Sequence, residues 1–141
     1  MKVLSSILFV ILLPLVSVAH AASLAISSSP EGAMAYIISP ANGEIVDKSV
    51  TIKFGLKGMG VSPAGIDKEG TGHHHLLVDG KMLPALDKPM GTEVMHFGGG
   101  QTEKTLELTA GKHTLQLVLG NHNHIPHNPP IISEKITIIV K

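Results

Sequence analysis

The sequence predicts an all-β fold, an immunoglobulin-like two-sheet antiparallel sandwich of about seven strands. Three observations carry this. Short runs rich in Val, Ile, Leu and Thr recur from residue 35 onward, separated by Gly, Pro and Asn clusters. Several runs alternate apolar and polar positions, the period of a strand with one buried face. No stretch combines a long 3.6-residue period with an N-cap and a glycine stop, as a helix would. Cys and Trp are absent. An aliphatic core must therefore replace the inter-sheet disulfide and buried Trp of antibody domains.

The elements follow in order. Lys2, the apolar run 3–18 and Ala19-His20-Ala21 form the pattern of a secretory signal peptide over residues 1–21. The run is shorter than the roughly 20 residues that span a bilayer. The expected product is soluble, periplasmic or secreted, has no membrane span and starts at Ala22. Cleavage after Ala19 is the alternative, and it would leave His20 as an N-terminal copper chelator. Residues 22–34 are small and polar and read as a flexible N-terminus.

Residues 35–141 form the single sandwich domain. Its expected strands are 35–39, 49–56, 73–78, 93–97, 102–108, 112–119 and 131–140. The turn Pro40-Ala41-Asn42-Gly43 follows the first. The alternation predicts Val50, Ile52, Phe54, Leu106, Leu108, Leu115, Leu117, Ile136, Ile138 and Val140 inside.

Composition excludes some functions. Lys and Arg total 11, Asp and Glu total 11, and aromatics are 3%. Without a basic patch, nucleic acid is not an expected partner. Without Cys there is neither thiolate ligation nor thiol catalysis. Gly98-Gly99-Gly100 has no adjoining Lys and no helix start, so it reads as a tight turn and not a phosphate cradle.

The nine histidines are the unusual feature. Seven fall in three segments: His73-His74-His75 opening a strand, His96 before the glycine turn, and His122, His124 and His127 in the loop before the last strand. In an immunoglobulin-like sandwich these segments meet at one end, while His113 lies at the other. Imidazole is a common ligand for zinc and copper. His73, His74, His75, His96, His122, His124 and His127 are therefore the candidate metal ligands. Strand parity turns His74 toward the core mouth and His73 and His75 outward. His122 and His124 form a second pair two residues apart.

Met59, Met82, Met90 and Met95 lie in or near these loops, and thioether sulfur favours Cu⁺. Glu69, Glu93 and Glu103 are the nearest acids, without a telling spacing. The leading expectation is periplasmic copper or zinc handling. Two readings stay beside it: an envelope interaction module with structural histidines, and a copper or zinc enzyme. No protein partner is legible.

Gly70-Thr71-Gly72-His73-His74-His75-Leu76-Leu77, His96-Phe97-Gly98-Gly99-Gly100-Gln101-Thr102-Glu103 and Gly120-Asn121-His122-Asn123-His124-Ile125-Pro126-His127 resemble an uncharacterised bacterial exported family, domain of unknown function 4399. The resemblance runs from about Ile38 to Val140. It implies an exported single domain and no particular activity. It also implies that Asp often stands where this chain has Asn121, so one carboxylate ligand would be missing here. Ser39-Pro40-Ala41-Asn42-Gly43 more weakly resembles periplasmic copper-carrier sandwiches, which bears on fold and not on function.

Overall fold

The computed structural model describes residues 24–141; the segment read as a signal peptide, with His20, lies outside them. Among the described residues nine strands follow one another: β1 (Met34–Ser39), β2 (Ile45–Val46), β3 (Ser49–Lys57), β4 (Gly60–Val61), β5 (Thr71–Val78), β6 (Met95–His96), β7 (Glu103–Glu107), β8 (Gly111–Gly120) and β9 (Ile136–Val140). Among the described residues no helix is long and apolar enough to cross a membrane.

The strands form two sheets. One has the order β1-β3-β7, the other β2-β9-β8-β5-β4, with β6 also pairing β5. The chain is thus an all-β two-sheet sandwich, as the alternation predicts. The long pairings are antiparallel. Two short ones, β2 with β9 and β4 with β5, run parallel over two residues each. Pieces this short carry no periodicity, which is why the sequence does not announce them.

The core between the sheets is built from the alternating faces. Val50, Ile52 and Phe54 of β3 meet Leu76 of β5, Leu106 of β7, Leu115, Leu117 and Leu119 of β8, and Ile138 and Val140 of β9. Leu108 and Ile136, also expected inside, are half-buried at its margin.

The expected strand 131–140 is divided. Leu119 N donates to Ile131 O and Ser133 N to Leu117 O, both at 2.9 Å. Leu117 N also donates to Ser133 Oγ. This short pairing ends before β9, which pairs further down β8. The polar Ser133-Glu134-Lys135 step separates the two apolar pieces.

A second layer covers the outer face of the larger sheet. Met90 and Val94, from the 79–94 connection, pack on Leu77 of β5 and Val118 of β8, with Ile132 alongside. Residues 72–77 of β5 are buried on both faces.

Residues 25–29, in the stretch read as a loose N-terminus, lie along the loop after β8. Asn128 N donates to Ser27 O at 2.9 Å and Ser29 N to Asn128 O at 3.1 Å. Asn121 Nδ2 donates to Ala25 O and Ser27 Oγ.

Candidate metal centre

β5 supplies the floor of the site. Successive strand residues point to opposite faces, so His73 and His75 share the outer face with Leu77, and His74 turns inward. His74 accordingly lies 5.3 Å, ring centre to ring centre, from Phe54 of the core. "Outward" does not mean solvated here: His73 and His75 are 0% and 1% exposed. The rings of His96 and His124 lie against them.

Two other segments complete the cluster. β6 pairs with β5 so that His96 stands opposite His75. The loop after β8 brings His124 over the same face. Ring centres of His73 lie 4.6, 5.0 and 5.0 Å from those of His75, His96 and His124. His75 is 5.2 Å from His96 and 5.9 Å from His124. His96 and His124 stack at 4.5 Å. Ligand nitrogens of His73, His96 and His124 lie within 4.8 Å of one another, close enough to hold a metal ion. Nitrogens bound to one tetrahedral zinc would stand about 3.3 Å apart at normal bond lengths. Side-chain rotations on the order of 1 Å would close the difference.

Glycines make room for these rings. A Cβ at Gly120 would sit 2.7 Å from His75 Cε1 and 2.9 Å from Met90 Cε. A Cβ at Gly98 would collide with the His96 ring. The glycine turn is therefore a tight turn and a close approach together: Gly100 takes a φ of 80° and donates to Phe97 O at 3.1 Å.

His124 is held in an unusual backbone conformation, with φ 66°. Asn121 sets it. Its Oδ1 accepts from Asn123 N at 2.9 Å and Ile125 N at 3.1 Å, while His124 N donates to Asn121 O. Asn121 thus spends its side chain on the loop and on the 25–27 segment. It organises the centre and does not stand among the ligands.

Electrostatics favour the neutral form of His73, His75 and His124. Burial, then the charge of neighbouring imidazoles, pushes His73 down to about 4 and His75 to about 3. Burial and His96 lower His124. Neutral rings leave nitrogen lone pairs free, which ligation requires. Both ring nitrogens of His73 and of His75, and Nδ1 of His124, are buried without a hydrogen-bond partner.

The other candidates stand apart. His74 is inward, lowered to about 4 by burial alone, and unpartnered at both nitrogens. His127 donates from Nε2 to Thr71 O at 3.2 Å and lies against Gly72. His122 has Nδ1 at 3.3 Å from Asp67 Oδ1, and its Nε2 accepts from Asn123 Nδ2. His122 and His127 line a cavity of about 240 Å³ with Ser27, Asp67, Glu69 and Asn121.

His113 sits at the far end of β8. Its Nδ1 is 2.7 Å from Asp79 Oδ2 and its Nε2 2.8 Å from Thr109 O. Both partners accept, so the ring donates from both nitrogens. The Asp79 hydrogen bond accordingly raises its pKa.

Comparison with curated proteins and with solved structures yields no match. A family model does match, over residues 52–141. That stretch runs from the middle of β3 to the C-terminus and is more than half of the chain. It begins later than the Ile38 suggested by the motifs, yet it takes in His73, His75, His96 and His124. The protein carrying this cluster therefore belongs to the family described as Domain of unknown function (DUF4399).

Proposed function

We propose that this protein is an exported, periplasmic or secreted metal-binding protein that handles copper or zinc, holding one ion between His73, His75, His96 and His124. The carrying observation is the convergence of ligand nitrogens of His73, His96 and His124 within 4.8 Å, those of His73 buried without partners. A buried polar group left unsatisfied costs about 1–3 kcal/mol. His113, by contrast, spends both ring nitrogens on hydrogen bonds. Coordination of an ion offsets the cost instead.

Binding is favoured over catalysis. Catalytic zinc sites keep one position open and need a nearby acid or base. His75, beside His73, His96 and His124, offers a fourth imidazole to close the shell, and the groups acting on His73, His75 and His124 are other histidines and backbone, with no carboxylate. Lys2, the apolar run and Ala19-His20-Ala21 support export.

Titration calorimetry with Cu²⁺ and Zn²⁺ tests the reading. Wild-type protein should bind one equivalent. His96→Ala with His124→Ala should weaken binding at least tenfold, about 1.4 kcal/mol. His122→Ala should bind like wild type. Equal binding by the double variant, or no binding by wild type, would overturn the proposal.

A further inference from the structure

We infer that the ion enters and leaves the four-histidine pocket through the cavity beside His96, where the Glu103 carboxylate receives it. This rests on the metal-binding reading above and adds the route to its site.

The four rings differ in exposure. His73 and His75 are 0% and 1% exposed, His124 is half-buried and His96 is exposed. His96 and His124, stacked on each other and lying against the two buried rings, therefore form the solvent side of the cluster. Of this pair, His96 borders a cavity of about 370 Å³, lined also by Met95, Phe97, Gln101, Glu103 and Lys104.

The two outer rings also differ in freedom. The loop of His124 is clasped by Asn121 Oδ1, and His124 O accepts from Met90 N at 2.9 Å. His96 stands on a strand of two residues, both exposed. Exposed side chains exchange rotamers within picoseconds to nanoseconds. His96 is thus the ligand that can turn from the pocket toward the cavity and follow the ion.

The cavity holds the chemistry a passing cation needs. Carboxylate oxygen and imidazole nitrogen are both zinc ligands, and Cu²⁺ takes nitrogen and oxygen donors as well. Glu103 opens β7 and lines the same cavity as His96. Gln101 Oε1 accepts from Gly99 N at 2.9 Å and so braces the turn that joins the two. Lys104 lines the cavity too, and its charge cancels that of Glu103. A cation is therefore held weakly there and does not stay in competition with the four rings.

Stopped-flow mixing with Zn²⁺ and with a chromogenic chelator measures entry and release, and calorimetry measures the equilibrium affinity. A group met on the way in is met again on the way out, so it alters both rates and not their ratio. Glu103→Gln should slow Zn²⁺ entry and chelator-driven release alike, each at least about threefold, with affinity within about twofold of wild type. Glu107→Gln removes the same charge further along β7, outside the cavity lining. At about 13 Å from Glu103 it lies beyond the roughly 8 Å over which exposed charges act at physiological salt, and its rates should match wild type. Unchanged rates in Glu103→Gln, equal slowing in Glu107→Gln, or an affinity loss that accounts for the slower entry would overturn the route while leaving the metal site in place. Absence of Zn²⁺ binding by wild type would overturn the metal reading itself.

Discussion

Lowering the pH from 7.5 to 5 should remove a large share of the stability of the metal-free protein. His73, His74 and His75 are buried and neutral, with values pushed down to about 4, 4 and 3. In the unfolded chain each titrates near 6.5. The unfolded state therefore takes up protons first as the pH falls. The stability these rings contribute is complete above about 6.5 and is lost progressively below it, until the folded-state values are reached. At pH 5 each ring costs about 2 kcal/mol, and the three together about 6 kcal/mol. A domain of this size has about 5–15 kcal/mol in all. His113 works the other way: its raised pKa adds stability below about 6.5, lost as pH rises through the folded value. One such group offsets only part of the loss. Urea unfolding followed by far-UV circular dichroism at pH 7.5, 6 and 5 would measure it. A change of under about 1 kcal/mol between pH 7.5 and 5 would refute the burial of three neutral imidazoles.

Other substitutions have distinct expected outcomes. Leu117→Ala, at a fully buried core position, should cost about 2–5 kcal/mol in urea unfolding through lost burial and a cavity. Gly120→Ala places a Cβ 2.7 Å from the His75 ring; metal affinity by calorimetry should fall at least tenfold, about 1.4 kcal/mol, with the circular dichroism spectrum retained. His113→Ala should leave metal affinity unchanged. Its destabilisation should be larger at pH 6 than at pH 8, because the bond to Asp79 is charge-assisted only below the raised pKa.

The sandwich was legible wherever one strand face is buried. Val50, Ile52 and Phe54 alternate with exposed Thr51 and Lys53, and the period shows directly. β5 is different. Its outer face is covered at Leu77 by Met90 and Val94 and at His73 and His75 by His96 and His124, so both histidines are buried on a face that parity alone assigns to solvent. The meeting of the three histidine segments was legible, and so was the separation of His113. Which histidines converge was not. His122 and His124 would share a face in a strand, but the chain turns left-handed at His124. One ring goes to Asp67 and the other to the cluster. Gly120 and Asn121 carry no local signal of their roles, because a close approach and a loop clasp depend on the partners that folding brings.

The claim that one ion sits among four imidazoles is tested most directly by ¹⁵N NMR of histidine side chains during metal addition. Cu⁺ and Zn²⁺ both have filled d shells and leave the spectrum readable. One equivalent of either should shift ring nitrogens of His73, His75, His96 and His124 together and saturate. Those of His113 and His122 should stay in place, since Asp79 and Asp67 hold them apart. Shifts confined to His113 or His122, or a spectrum unchanged by metal, would contradict the account.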